Sequence, residues 1–147
     1  MADIQRKATA HWAGTLKEGK GDVTVESGVI KDVAITFPAR FESADGSNPE
    51  ELIAAAHASC FSMALSAQLG KKNATPDKIT TTATLTLNIA EAGFAITKIH
   101  LDMEASVPGI SEADFNEAAE NAKNGCPVSA LLKPGLQSLT MDAKLSN

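Results

Sequence analysis

The sequence lacks any cluster of lysine and arginine residues. Its 147 residues carry a formal net charge of −5, and the pI is about 5.1. Proteins that bind nucleic acids or anionic membranes hold them with clustered basic side chains, which release counterions from the bound surface. We therefore expect neither a nucleic acid nor a membrane surface as a partner.

The N-terminal residues also lack the apolar run of about 7 to 15 residues that a secretory signal requires. On that ground we expect a cytoplasmic protein. One stretch, residues 52–70, carries no charge and is long enough to raise the question of a membrane span. Because it contains serines, a histidine and a glutamine among many alanines, we interpret it as a helix buried in protein.

Cysteine is scarce. Only Cys60 and Cys126 are present, and they form no CxxC pair. Zinc sites usually need four ligands in closely spaced pairs, and the few histidines do not supply them, so we expect no metal and no other cofactor. In a reducing cytoplasm, a cysteine pair that bonds is more often catalytic or redox-sensing than structural.

The chain shows no repeat and no low-complexity linker. Its composition is 44% hydrophobic and 21% charged, which excludes disorder caused by low hydropathy. This length suffices for one substantial core but not for two ordinary ones. We therefore expect one domain, residues 1–147.

The first part of the chain predicts strands followed by a long helix. Residues 6–16 and 21–26 alternate around a turn and predict a hairpin, residues 29–37 predict another strand, and residues 38–47 predict a loop. Asn48 is a good N-cap, and Glu50 faces the positive end of the helix dipole. The helix should run to about Gly70 and, being apolar on nearly every side, should be enclosed all round.

The second part predicts two long strands, two helices and a final strand. Residues 79–89 and 98–107 alternate between apolar and polar side chains and should pair through the turn between them. Ser111 should open a helix that Gly125 closes, Pro127 should begin a short helix, and residues 136–145 should form the last strand. The fold class is therefore α+β, with helices covering one face of mostly antiparallel strands.

The two thiols differ in their predicted surroundings. Cys126 follows Gly125 and precedes Pro127, at the N-cap of the short helix, where backbone N–H groups favour a thiolate. Cys60 lies well inside the long helix, where burial should raise its pKa. If Cys60 is reactive, it needs a cation from elsewhere; otherwise it is a small buried hydrophobe.

Two other side chains of the long helix leave alternatives open. His57 lies one turn before Cys60 and could touch it as a base, or it could be a satisfied core histidine. Glu50 should lie about 15 Å from Cys60 along a regular helix axis. Glu50 is therefore either an ordinary dipole-complementing residue or a group that reaches Cys60 of a second, antiparallel copy.

Two longer motifs carry a family resemblance. They are NPEELIAAAHASCFSMAL around Cys60 and NAKNGCPVS around Cys126. Similarity in AHWAGTLKEGKG, ARFESADGSNPEELI, GFAITKIHLDMEASVPGI and GCPVSALLK extends the match over nearly the whole chain. With these motifs the sequence resembles the OsmC family, the osmotically inducible, thiol-dependent peroxidases related to the organic hydroperoxide resistance (Ohr) proteins. The ESGV and FAITKI stretches place it closer to OsmC proper.

The resemblance implies an intertwined homodimer. In the OsmC-like fold, mostly antiparallel sheets pack on two long central helices, and the active sites lie at the subunit interface. The resemblance also implies that Cys60 attacks the peroxide and that Cys126 resolves the sulfenic acid as an intramolecular disulfide. Arg40 matches the family arginine that stabilises the thiolate, and Glu50 matches the carboxylate that orients this arginine.

The function so implied is a thiol-dependent peroxidase. It would reduce organic hydroperoxides, and hydrogen peroxide less efficiently, to alcohol and water. A dithiol, of lipoyl type or on a small thiol protein, would reopen the disulfide. The alternative is a non-enzymatic redox-sensing or ligand-binding stress dimer, suggested by the largely buried setting of Cys60. A general disulfide oxidoreductase is weakened by the absence of CxxC.

Overall fold

The first sheet of the computed structural model, which describes residues 3–146, contains three antiparallel strands in the order β1-β2-β3. These strands are β1 (Ala8–Ala13), β2 (Lys20–Val25) and β3 (Val33–Thr36). The predicted hairpin is confirmed, with His11 opposite Asp22. The third strand is also present but is shorter than the sequence predicted.

The loop predicted for residues 38–47 is wrong in its first part. Residues Phe37–Phe41 form a short helix, α1. The Thr36 hydroxyl caps it by accepting a hydrogen bond from the Ala39 N–H at 3.1 Å, and a proline stands in its first turn. A helix of about one turn shows no 3.6-residue periodicity, so the sequence pattern could not reveal it.

Gly46 allows the next segment to pack closely on β3. Its φ is +126°, and a Cβ at this position would lie 2.7 Å from the Ala34 carbonyl oxygen. The adjacent Ser47 N–H donates to the same oxygen at 2.9 Å. Because only glycine tolerates both the positive φ and the close approach, Gly46 fixes where the following helix begins.

The long helix α2 (Pro49–Lys71) begins where the sequence predicted. The Asn48 side chain accepts from the Glu51 N–H at 2.8 Å, which is an N-cap bond. However, the prediction that α2 is enclosed all round is wrong for the single chain. Its buried side chains form one stripe with a spacing of four: His57, Phe61, Leu65 and Leu69.

The rest of α2 is open within one chain. Met63 is 74% exposed, and Ala55, Ala56 and Ser59 on the same helix are exposed as well. The helix is long and apolar enough to cross a membrane by length and composition alone, and 22% of its most apolar stretch is buried in the chain. A core helix that a partner completes meets the same criteria.

The second sheet has the strand order β4-β5-β6. Its strands are β4 (Lys78–Ala90), β5 (Gly93–Ser106) and β6 (Ser138–Ser146). β4 and β5 are antiparallel, as predicted, whereas β6 runs parallel to β5. A parallel partner requires a crossover, and this one contains α3 (Glu112–Gly125), α4 (Pro127–Leu132) and a short 3₁₀ turn (Lys133–Gly135).

The main core lies between this sheet and the helices. The predicted alternation of β5 is confirmed, because Ile99, Leu101, Met103 and Ala105 are buried. The helices contribute Phe61, Leu65, Leu69, Phe115, Ala118, Ala119 and Ala122. Burying each large apolar side chain contributes about 1.5–3 kcal/mol, which holds α2 and α3 against the sheet.

The chain divides into two compact units between Leu52 and Ile53. The first contains the β1-β2-β3 sheet, α1 and the beginning of α2. The second contains the remainder of α2, both following helices that carry the core, and the β4-β5-β6 sheet.

Candidate active site

The second unit brings the two cysteines together. The sulfur atoms of Cys60 and Cys126 lie 3.0 Å apart although the residues are separated by 66 positions. Both are free thiols, Cys126 fully buried and Cys60 partly buried. The pair therefore needs only a small movement of the side chains to form an S–S bond of about 2.05 Å.

Cys126 occupies the junction between α3 and α4. It is the C-cap of α3, where its N–H donates to the Ala122 carbonyl at 2.8 Å, and it is the N-cap of α4. Burial raises the pKa of the Cys126 thiol. Hydrogen bonds with Cys60, with the Ser129 N–H and hydroxyl, and with the Val128 N–H lower it and outweigh burial, so the net shift of the pKa is downward. The predicted position of Cys126 at the N-cap of α4 is confirmed.

Cys60 has the opposite environment. Burial raises the pKa of its thiol first of all, and the hydrogen bond and charge interaction with Cys126 raise it further, against a smaller lowering by the Val128 N–H. The geometry allows either thiol to donate across the 3.0 Å contact. The lowered pKa of Cys126 and the raised pKa of Cys60 make Cys126 the more acidic thiol and favour Cys60 as the donor.

His57 and Ser129 form a buried contact beside the cysteines. The His57 Nε2 atom lies 2.8 Å from the Ser129 hydroxyl oxygen, and these side chains are 0% and 1% exposed. Among residues 3–146, none forms a hydrogen bond with the His57 Nδ1 atom. Burial lowers the pKa of His57, so the ring is neutral. The sequence left two roles open for His57, and the structure shows a core histidine that is only half satisfied.

The first unit joins Arg40 and Glu50. Arg40 Nη2 donates to Glu50 Oε1 at 2.7 Å, and Arg40 Nε donates to Oε2 at 3.2 Å, so the pair is bidentate. The side chains are 31% and 13% exposed. The guanidinium also lies 5.1 Å from the centre of the Phe41 ring. A carboxylate that accepts from two N–H groups along one edge of the guanidinium fixes its plane and leaves other N–H donors available.

An apolar pocket of about 320 Å³ surrounds this arginine in the first unit. Its lining includes Trp12, Leu16, Phe37, Phe41 and Pro49. Pockets that bind small molecules are usually apolar with a few convergent polar groups. The first unit thus offers an apolar cleft in which Arg40 is the charged group.

The four predicted site residues therefore form two pairs. Cys60 and Cys126 meet in the second unit, and Arg40 and Glu50 meet in the first. Ser129 was missed by the sequence analysis. The signal available was its position three residues after an N-cap cysteine, which is where an N-cap side chain contacts the first turn of a helix.

In the part of the chain that the structure describes, one set of side chains has the geometry to hold a metal ion. His100, Asp102 and Asp142 place their ligand atoms within 4.8 Å of one another, and the two aspartates are exposed. His100 Nδ1 already lies 2.7 Å from the Thr140 hydroxyl, and Nε2 lies 3.2 Å from Asp102. Exposed acidic groups of this kind are common without an ion, so the cluster receives no functional assignment.

A protein-family model described as OsmC-like protein matches residues 42–138. The chain belongs to the OsmC family. The matched range contains Glu50, Cys60 and Cys126, while Arg40 lies just before it. The family predicted from the sequence motifs is confirmed.

Among known proteins, the chain is similar to peroxiredoxin OsmC of Escherichia coli K12, with 51% identity covering 98% of this chain and 99% of that protein. It is 29% identical to an organic hydroperoxide resistance protein of Xanthomonas axonopodis pv. citri, over 82% and 84% of the two chains. The crystal structure of OhrB of Bacillus subtilis matches with a TM-score of 0.69 and 26% identity, over 97% and 98% of the two chains. The higher identity agrees with the predicted position closer to OsmC proper.

Proposed function

We propose that this OsmC-family chain is a thiol-dependent peroxidase that reduces organic hydroperoxides, and hydrogen peroxide less efficiently, to alcohol and water. The observation that carries the proposal is the 3.0 Å approach of the Cys60 and Cys126 sulfur atoms within one chain. Two free thiols at this distance can be oxidised to a disulfide and reduced again. The predicted enzyme class, a cysteine-based peroxidase, agrees with the names of the relatives.

In the proposed cycle, the Cys60 thiolate attacks the distal oxygen of the hydroperoxide. The O–O bond breaks, the alkoxide takes up a proton and leaves as alcohol, and Cys60 becomes a sulfenic acid. Cys126 then attacks the Cys60 sulfur and displaces hydroxide, which is protonated to water. An external dithiol reduces the resulting disulfide by thiol–disulfide exchange and becomes oxidised itself.

Arg40 and Glu50 would serve the first of these steps. A permanently charged guanidinium stabilises a nearby thiolate and donates hydrogen bonds to the departing alkoxide. Support comes from the bidentate Glu50 contact, which holds the guanidinium plane. Further support comes from the raised pKa of Cys60, because that thiol needs a cation that the cysteine pair does not itself contain.

We further propose that the active unit is the predicted intertwined homodimer. The exposed apolar face of α2, which includes Met63, would be covered by a second copy of the chain rather than by a membrane. In that dimer, the Arg40 and Glu50 pair would act on Cys60, either of its own protomer or of the partner. The single domain of residues 1–147 and the cytoplasmic location remain predictions of the same proposal.

An apolar hydroperoxide is favoured as substrate over hydrogen peroxide. The pocket around Arg40 is lined by Trp12, Leu16 and Phe37, which would bind the organic part of such a substrate. Each buried CH₂ group contributes about 0.8 kcal/mol, so a substrate with an alkyl or aryl group gains affinity that hydrogen peroxide cannot.

One observation favours the second candidate, a redox-sensing dimer without sustained turnover. The surroundings of Cys60 within its unit raise the pKa of its thiol, which would make it a slow nucleophile. Such a sensor would form the disulfide once under peroxide and would not turn over with any dithiol.

The test is a peroxidase assay with alkyl, aryl and lipid hydroperoxides and hydrogen peroxide, each with several dithiols including dihydrolipoamide. We expect sustained turnover that is fastest with apolar hydroperoxides and is abolished in Cys60→Ser. Mass spectrometry should identify the Cys60 to Cys126 bridge in the oxidised protein. Persistent turnover in Cys60→Ser would refute the peroxidase assignment, and disulfide formation without turnover would establish the sensor.

A further inference from the structure

The starting observation is the buried contact between His57 and Ser129, which the proposed peroxidase cycle does not use. The Ser129 hydroxyl oxygen lies 2.8 Å from His57 Nε2. Ser129 is also the third residue of α4, whose N-cap is Cys126, which places its hydroxyl beside the Cys126 sulfur, where it lowers the pKa of that thiol. Both side chains are essentially inaccessible within the chain. The contact therefore links a titratable ring to the sulfur that closes the disulfide.

A serine hydroxyl has one proton, which fixes the direction of these hydrogen bonds. If Ser129 donates that proton to the Cys126 sulfur, its oxygen can only accept from His57, so His57 Nε2 must carry the ring proton. The other ring nitrogen, Nδ1, is then a bare acceptor, consistent with its having no donor nearby. The opposite tautomer would leave a buried Nδ1–H without an acceptor, which costs more than the arrangement described.

We propose that His57 is a positioning residue that acts through Ser129, orienting the serine hydroxyl so that it donates to Cys126 and keeps that sulfur ready to attack. His57 is not a base in this arrangement, because its Nε2 already holds a proton. The lowered pKa of His57 agrees with a permanently neutral ring, and the net lowered pKa of Cys126 agrees with a thiolate that receives the hydroxyl proton as a hydrogen bond.

The step served is closure of the disulfide, so the kinetic part of the inference rests on the proposed function. The Cys126 thiolate supplies the electron pair for the S–S bond, and the S–O bond of the Cys60 sulfenic acid breaks. Hydroxide leaves with the electron pair of the S–O bond and takes up the proton that Cys126 lost on ionisation. The net products are the disulfide and water. Cys126 is oxidised in this step, and the Cys60 sulfur is reduced from its sulfenic state.

The same hydrogen bond serves reduction of the disulfide. When a dithiol attacks the Cys60 sulfur, Cys126 is the leaving group, and a stabilised thiolate leaves faster. Stabilising the reduced form also raises the reduction potential of the pair. One hydroxyl held by one histidine therefore assists both directions of the thiol–disulfide exchange.

The kinetic experiment separates the two oxidative steps. A single equivalent of hydroperoxide is added to reduced protein, and sulfenic acid at Cys60 and the disulfide are quantified with time by trapping and mass spectrometry. In Ser129→Ala we expect closure to slow about tenfold, the effect of losing one hydrogen bond to a charged group, while oxidation of Cys60 keeps its rate. Loss of the same hydrogen bond should also lower the equilibrium constant for reduction of the disulfide about tenfold, which for two electrons lowers its potential by about 30 mV.

The histidine is tested with a conservative pair of variants. His57→Leu removes the donor and should slow closure as much as Ser129→Ala does. His57→Gln keeps an amide N–H at a reach similar to Nε2 and should restore most of the rate. The matched control is Ser62→Ala. It deletes a hydroxyl on α2 that contacts the Ala58 carbonyl and the Thr81 hydroxyl.

A second readout needs no peroxide chemistry. In reduced Cys60→Ser protein, the ultraviolet absorbance of the Cys126 thiolate is followed against pH, and the pH at which it appears should rise when Ser129→Ala or His57→Leu is added, with folding followed by circular dichroism. An unchanged absorbance, equal slowing of both oxidative steps, or failure of His57→Gln to restore closure would overturn the inference. If wild-type Cys60 is never oxidised, the proposed function fails, and the absorbance measurement still decides the role of His57.

Discussion

The two cysteines lie 3.0 Å apart and yet occupy opposite electrostatic environments. Cys126 stands at the beginning of a helix, where the hydrogen bond with Cys60, together with the N–H groups and a hydroxyl of that helix, outweighs burial and lowers its pKa. Cys60 stands in the middle of a helix whose N–H groups are already bonded, and burial raises its pKa. The difference comes from the position of each residue in its helix and not from the thiol itself.

This contrast indicates that the two thiols are activated in different ways for their proposed roles. The resolving thiol is activated by the backbone of its own unit, so it is ready whenever the chain is folded. The attacking thiol depends on a side-chain cation, proposed to be Arg40, that lies outside the cysteine pair. Activation of Cys60 should therefore be sensitive to substitution and to assembly, whereas activation of Cys126 should not.

The largest expected effect on turnover in this comparison comes from replacing the resolving thiol alone. Cys126→Ser should retain one stoichiometric reduction of hydroperoxide per chain and accumulate the Cys60 sulfenic acid, while multiple turnover is lost. Rapid mixing with a sulfenic-acid trap measures both quantities. If Cys126→Ser instead loses the first step, the attacking residue has been misassigned.

The core beneath Cys60 gives the next effect. Phe61 is fully buried and follows Cys60 directly, so Phe61→Ala should lower the free energy of unfolding by about 3–5 kcal/mol. Leu131, which is 77% exposed, is the control. Leu131→Ala should change the free energy of unfolding by no more than about 0.5 kcal/mol. Urea unfolding of the reduced proteins compares the two, and similar costs would contradict the described core.

Arg40→Gln tests the dependence of Cys60 on an external cation. Removing a charged hydrogen bond of about 1.5–3 kcal/mol should slow oxidation of Cys60 by roughly 10- to 100-fold. The thiolate absorbance of Cys126 should not change. Arg6→Gln is the matched control, because Arg6 bonds only a neighbouring carbonyl at the surface. A rate in Arg40→Gln equal to that of the control would remove Arg40 from the mechanism.

The smallest effect is a difference in pH dependence between single-thiol variants. In Cys60→Ser, the introduced hydroxyl can donate to Cys126 in place of the Cys60 thiol, so we expect the pKa of Cys126 to stay lowered. The free energy of unfolding should then rise as pH increases towards the ordinary thiol value, and this contribution should be lost as pH falls through the lowered pKa. In Cys126→Ser, burial still raises the pKa of Cys60, so stability should fall above the ordinary thiol value. The double variant supplies the baseline, and slopes of the same sign would contradict the comparison.

Local signals in the sequence predicted much of the fold. The N-caps at Asn48 and Ser111 and the alternation along β4 and β5 were all confirmed. These features depend on residues close in sequence, so local physical rules suffice to read them. The sequence did not predict the short helix α1, because about one turn carries no periodicity. The prediction that α2 is enclosed is wrong for the single chain, because apolar composition does not say what covers a helix.

The sequence by itself determined that Cys126 begins a helix and that Cys60 lies inside one. It also determined the family, because both cysteine motifs are contiguous stretches. Only the tertiary structure decided that two sulfur atoms 66 residues apart are in contact, that Ser129 contacts His57, and that Arg40 donates hydrogen bonds to Glu50. The contacts of the cysteines and of Ser129 depend on how α3, α4 and the parallel strand β6 fold back over the chain, and that arrangement is fixed by the packing of a whole core rather than by any local pattern. The contact between Arg40 and Glu50 depends on how the segment between α1 and α2 turns within the first unit.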